Sequence, residues 1–236
     1  TLLRVKTEKF RFFLSRIDHT TLAERDDKNR RYNAAFGFAI VQQYDNETKE
    51  WNDYQESEIQ AFRDASDNIR LSPGKWYQGN FEIGGLNNDV YLLRVHQQAS
   101  RFEEIETPKG WTDMKSWLTE NYDITALSEA SSNPSNDGND YRLFRMNLIS
   151  SWLRGSAKGQ IGFMEFVDDS VSLSLAKDRD NSLRSIVDAE LAATYGRGSE
   201  FLVLGIVQND PQYGLQLNIK VIEELVAIKR KQFKTI

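Results

Sequence analysis

Residues 201–221 read FLVLGIVQNDPQYGLQLNIKV. Phe201 to Gln208 is apolar apart from its last residue, too short for a helix that spans a domain and of the right length for a buried strand. Asn209, Asp210, Pro211 and Gly214 then supply four turn formers within six residues, after which Leu215, Leu217, Ile219 and Val221 alternate with polar neighbours. Period-two alternation on the far side of a turn predicts the second arm of a β-hairpin.

Outward from that hairpin the chain repeats the same vocabulary. Leu2 to Ile17 mixes Val5, Phe10, Phe12, Phe13, Leu14 and Ile17 with basic residues and reads as one long strand or a bent pair. Ala34–Gln43 (AAFGFAIVQQ) is strand-like, and Asp45-Asn46 supplies the turn after it. Phe81–Ile83 and Val90–Gln97 flank a Gly-Asn-rich stretch as a second hairpin, Tyr141–Leu153 and Gln160–Val167 flank residues 154–159 as a third, and Ser170–Lys177 alternates as a strand with one wet face.

Helix signals are fewer. Asp53 with Glu56 resembles a capping box ahead of Ile59, Phe62 and Ile69. Trp111, Met114, Trp117 and Leu118 share one helical face, and Ser182 can cap a helix that buries Leu183, Ile186, Val187 and Leu191 and stops at Gly196. The charged run 24–31 suits an exposed loop or helical turn, and residues 223–234 read as helical or frayed. This order predicts an α+β fold, mainly antiparallel sheet and hairpins with about three or four peripheral helices. The β content also admits a small barrel or a ferredoxin-like arrangement. Residues 129–140 (EASSNPSNDGND) form a long polar loop in a single domain over 1–236, with a two-lobe split into 1–128 and 141–236 as the alternative. No period of 20 to 50 residues repeats, which speaks against solenoids and propellers.

Composition narrows the chemistry. The 236 residues contain no cysteine, which removes disulfides, thiolate metal sites and a thiol nucleophile together. The longest apolar run, about 201–207, falls far short of the roughly 20 residues of a membrane helix, and no signal peptide is visible; the cytoplasm is the expected compartment. Only His19 and His96 are present, in separate elements and without ligand spacing. There is no Gly-x-Ser-x-Gly elbow, and Gly196-Arg197-Gly198-Ser199 follows a predicted helix, so it lacks the geometry of a phosphate loop. No Walker A, dinucleotide or EF-hand motif implies a cofactor, and none is expected. Asp45-x-Glu47-x-Lys49 and Glu165-x-x-Asp168-Asp169 each follow an apolar strand and are the weak candidates for a divalent-metal site of nuclease or hydrolase type. Both coincide with predicted turns, where carboxylates satisfy the backbone, so the balance is against an enzyme.

Charge is the most specific signal. The net charge of −5 is unevenly spread. Residues 1–16 carry Arg4, Lys6, Lys9, Arg11 and Arg16 against Glu8 alone, a balance of +4, and residues 217–236 carry Lys220, Lys229, Arg230, Lys231 and Lys234 against two glutamates, a balance of +3. Residues 45–67 hold eight acids against Lys49 and Arg63. Together with aromatics in loop-like positions, Trp51, Trp76 and Tyr77, this favours a non-catalytic binding or assembly subunit of a larger intracellular complex, with protein as the expected partner. The alternative is RNA or single-stranded DNA binding through the basic terminal segments, with Trp76 and Tyr77 among the stacking candidates.

Overall fold

A computed structural model of the protein describes residues 6–22, 32–62, 71–87, 90–96, 100–136, 140–156, 159–169 and 182–230. The chain divides into two compact units, Thr1–Trp111 and Thr112–Ile236.

The first unit is built from β1 (Thr7–Leu22), β2 (Tyr32–Gln43), β3 (Gln55–Phe62), β4 (Trp76–Asn87), β5 (Val90–Arg94) and β6 (Phe102–Ile105). Antiparallel pairs join β1 to β2 and β2 to β3; β3 then lies parallel to β5. β5 returns antiparallel to β4, and β4 pairs back onto β1 from Thr7↔Glu82 to Phe13↔Trp76, so the five strands close on themselves. β6 is an added strand on β4, from Trp76↔Ile105 to Gly79↔Phe102. Alternation along β1 sends Phe10, Phe12 and Leu14 into the core with Val41, Ile59, Tyr77, Phe81 and Leu93, and leaves Lys9, Arg11 and Phe13 on the outer wall. Glycine is needed where β6 crosses: a Cβ on Gly79 would lie 2.2 Å from the Arg101 carbonyl and 2.4 Å from the Phe102 ring. Gly79→Ala is therefore expected to cost about 1–3 kcal/mol or more, since overpacking must push backbone. Chemical denaturation of the variant beside the parent protein measures it, and an unchanged midpoint contradicts this account.

The second unit comprises α1 (Met114–Asn121), α2 (Leu127–Ser132), β7 (Arg142–Ser156), β8 (Gly159–Val167), β9 (Leu183–Val187), α3 (Ala189–Thr194), β10 (Glu200–Asp210) and β11 (Gly214–Val226). β7 to β11 close as a barrel in the order β10-β11-β9-β8-β7. Again the first strand pairs antiparallel with the second and fourth, the third pairs with the second, and the third lies parallel to the fifth. Phe144, Met146, Leu148, Met164, Phe166, Phe201 and Val203 fill its interior. The two units therefore share one connectivity, that of the five-stranded oligonucleotide/oligosaccharide-binding (OB) barrel. The repeat is a whole barrel long, which is why no short period marks it in the sequence.

The α+β expectation is overturned: the described residues hold eleven strands and only three helices, of six to eight residues. The first part of the helix expected from Asp53 is β3, in which Ser57, Ile59 and Ala61 alternate inward; pairing with β2 and β5 on both edges outweighs the capping-box signal, and the remainder, with Ile69, lies outside the described residues. The helix expected from Ser182 begins as β9, whose LRSIV buries Leu183, Ser185 and Val187, and only residues 189–194 are helical. The segment after Glu223 continues β11 to Val226 in place of a helix. Four residues of the expected 129–140 loop belong to α2, whose Leu127 N–H donates to the buried Asp168 Oδ2 at 2.8 Å. The helix near Trp111 forms one turn later, capped by Asp113, whose Oδ1 accepts from Ser116 N at 2.8 Å. The 201–221 hairpin forms as expected, Asp210 Oδ1 accepting from Gln212 N and Tyr213 N at its turn. The strand expected at 170–177 and the charged run 24–31 lie outside the described residues.

Candidate nucleic-acid interface

The outer wall of the first barrel carries cations and aromatic rings in register. Lys9, Arg11 and Phe13 project from β1; Arg11 lies opposite Gln42 and Phe13 opposite Ile40. The turn after β2 folds back so that Tyr44 bridges to Trp51, their rings edge-to-face at 5.1 Å. Lys9 Nζ sits 5.0 Å from the Tyr44 ring centroid and 5.6 Å from that of Trp51, and the Arg11 guanidinium carbon 4.6 Å from Trp51. Arg11 is held there: its Nε donates to Gln42 Oε1 at 2.8 Å, and Gln42 Nε2 donates to the Asn52 carbonyl at 2.8 Å. Partial burial draws the Arg11 pKa below its ordinary value, with Tyr54 opposing; burial raises Tyr54, with Arg11 opposing. Beneath them Phe13, Tyr54, Trp76 and Trp111 pack as an aromatic layer, with ring centroids 5.2 to 6.0 Å apart. The wall turns acidic at β3, where Glu56 and Glu58 lie opposite Ile40 and Phe38. The cations of this wall are thus concentrated on β1, beside the 44–52 turn, and the carboxylates on β3.

On the second barrel three neighbouring strands build the corresponding surface. Trp152 of β7 lies opposite Phe163 of β8, which lies opposite Ile186 of β9. The Trp152 and Phe163 rings are stacked, 5.4 Å apart and 6° from parallel, with the Arg184 guanidinium carbon 5.5 Å from the Trp152 centroid. Arg154 and Ile161 extend the row as an exposed opposite pair. Ile186, 52% exposed, joins this surface to a groove of about 410 Å³ alongside the β10–β11 hairpin.

Ion pairing separates the cations into two groups. Lys6 pairs with Glu8, Lys75 with Glu104, Arg142 with Asp140, Arg145 with Glu200, and Lys229 with Glu224. Lys9, Arg11, Arg154 and Arg184 have no carboxylate partner among the described residues; three of the four lie over aromatic rings instead. A cation kept on a ring face leaves donors free for an anion.

The residues expected from sequence fall on several sides of this division. Lys9 and Arg11 are on the outer wall, Lys6 is engaged, and Arg16 lies past the β1 bulge opposite Phe38 with contacts of its own. Trp76 and Tyr77 are buried, Tyr77 in the core against Phe12 and Trp76 in the aromatic layer, so neither ring face is open to a base. Lys229 lies 3.9 Å from the Tyr195 ring centroid, and its hydrogen bond to Glu224 raises its pKa while lowering that of Glu224. Arg230 donates to the Ser151 carbonyl and Oγ at 2.7 Å, stitching the chain end to β7. Arg4, Lys231 and Lys234 lie outside the described residues.

The chain aligns with solved structures, among them two of one protein. It is similar to the single-stranded DNA binding protein from Thermus aquaticus. The identity is 11% over 98% of this chain and 96% of that one, at a TM-score of 0.27, and a deletion mutant of the same protein gives 10%, 98%, 97% and 0.26. Scores this low carry no argument, and the barrel connectivity rests on the strand pairing of the chain itself. No family model and no curated protein matches.

The carboxylates weighed as metal ligands have structural partners. Asp45 Oδ1 accepts from Glu47 N at 2.7 Å and Thr48 N at 3.2 Å, which lowers its pKa, while Glu47 is exposed in the same turn. Glu165 accepts from Ser182 Oγ at 2.6 Å, Asp168 holds the start of α2, and Asp169 accepts from Asn147 at 3.4 Å. Among the described residues no three His, Cys, Asp or Glu side chains gather as a metal site. No helix among them is long and apolar enough to cross a membrane. Sequence reading missed Tyr44, Trp152, Arg154, Phe163 and Arg184. A signal was present for the stacked pair: the register that pairs Ser156 with Gly159 puts Trp152 opposite Phe163, but Gly155 and Gly159 read as loop and hid it.

Proposed function

We propose that this protein binds single-stranded nucleic acid, RNA or DNA, along the outer walls of its two OB barrels. Bases stack on Trp51 with Tyr44 and on Trp152 with Phe163, while Lys9, Arg11, Arg154 and Arg184 contact phosphates. The observation that supports this best is the coincidence, on the outer wall of each barrel, of partly exposed rings with cations that have no carboxylate partner among the described residues. Protein surfaces that follow a single strand combine these two features, because every base has a π-face and every linkage a negative charge.

The test is binding of fluorescein-labelled oligo(dT) and oligo(rU) by anisotropy across a salt series. Four phosphate-contacting cations predict a slope of log affinity against log salt of about −3, from roughly −0.7 per contact on single strands. Intrinsic tryptophan fluorescence should fall on binding, as Trp51 and Trp152 become covered. Affinity flat with salt, or no binding to either oligonucleotide at low salt, overturns the reading.

A further inference from the structure

The groove beside β9 lacks the chemistry of the stacking wall that adjoins it. Gln208 and Gln216 face each other across the β10–β11 hairpin, and Asn218 lies two residues along the same face. None of these amides, nor that of Asn209, makes a side-chain hydrogen bond among the described residues. Asp210 spends Oδ1 on the backbone N–H groups of Gln212 and Tyr213, and its second oxygen has no donor among the described residues. Among the described residues no cation lines the groove, so a phosphate there meets a carboxylate. Ile186 belongs to both surfaces and gives an apolar step from the Trp152–Phe163 stack into the groove.

We infer that this groove receives the edge of an unpaired nucleobase bearing an exocyclic amino group, cytosine, adenine or guanine as against thymine or uracil, next to the base stacked on Trp152; the inference rests on the binding function proposed above. The amides offer the adjacent donor and acceptor that a base edge requires, and the free Asp210 oxygen accepts from an amino group while it has nothing to donate to the O4 of thymine or uracil. The wall thus supplies affinity and the groove supplies base preference.

The measurement is a comparison of oligo(dC) with oligo(dT) of equal length at pH 7.5, where cytosine is neutral and stacking is similar. The protein should favour oligo(dC) by about five- to tenfold, the lower end of one well-placed edge contact. Asn218→Ala and Gln208→Ala, on strand surfaces, should each reduce that preference while leaving oligo(dT) affinity unchanged. Asp210→Asn retains an acceptor for the turn, serves as a second probe, and should reduce it as well. Equal affinity for the two oligonucleotides, or a preference that survives all three substitutions, overturns the groove assignment while leaving the stacking wall intact. Absence of binding to both oligonucleotides overturns the function itself.

Discussion

Trp51→Ala combined with Trp152→Ala is expected to weaken binding of a long single-stranded oligonucleotide by about 2–6 kcal/mol, roughly thirty-fold to twenty-thousand-fold, because each ring removed costs about 1–3 kcal/mol of base stacking. Each single substitution should account for part of the loss, since each ring belongs to a separate barrel. Both side chains are half-exposed and stand on the outer walls, so neither substitution opens a cavity in a core. The parent thermal transition should persist, and circular dichroism of the variants establishes that before affinity is compared. Arg184→Gln gives a complementary result: a smaller loss, with a shallower salt dependence by about 0.7 in slope. Unchanged affinity in the double variant would remove the rings from the interface.

Phe12→Ala is expected to destabilise the first unit by about 3–5 kcal/mol, the range for deleting a fully buried aromatic ring. Phe12 has no exposed surface and meets Phe81 at 5.2 Å, Phe102 at 5.6 Å and Tyr77 at 5.7 Å between ring centroids. It therefore ties β1 to both β4 and β6, at the seam where the barrel closes. A typical domain stability of 5–15 kcal/mol makes such a loss a large fraction of the whole. Guanidinium denaturation followed by far-ultraviolet circular dichroism measures it, and a cost under about 1 kcal/mol would mean that the site collapses around the deletion. Phe12→Leu, which keeps much of the volume, should be markedly milder.

The same β1 strand illustrates how far reading the chain reaches. Its alternation of Phe10, Phe12 and Leu14 with Lys9 and Arg11 is a period-two pattern, and it marks both the core face and the cations of the wall. Trp51 stands out beside it as an aromatic in a turn. The failures lie where a short segment satisfies two periods at once. Ile59 and Phe62 suit a helix, yet Ile59 with Ala61 suits a strand equally well, and for residues 55–62 the open edges of β2 and β5 decide the matter. Likewise Leu183, Ile186 and Val187 fit one face of a helix, while β8 on one side and β11 on the other hold the segment extended. Trp76 and Tyr77 look available in the sequence because Pro73-Gly74 precedes them, and they are buried because β1 and β6 flank β4 on both edges.

Local chemistry by itself determined the hairpin at 201–221, the capped helix after Asp113, the absence of thiol and histidine-cluster chemistry, and a cationic first strand on an acidic chain. Tertiary structure decided that the strands close twice into the same barrel, because closure depends on contacts such as β1 with β4 and β9 with β11, which join distant segments and leave no mark on neighbouring residues. It also decided which cations are open to an anion. Lys229 and Lys9 are alike in composition and both lie over aromatic rings; they differ in that the fold places the Glu224 carboxylate beside Lys229, while Lys9 has no carboxylate among the described residues.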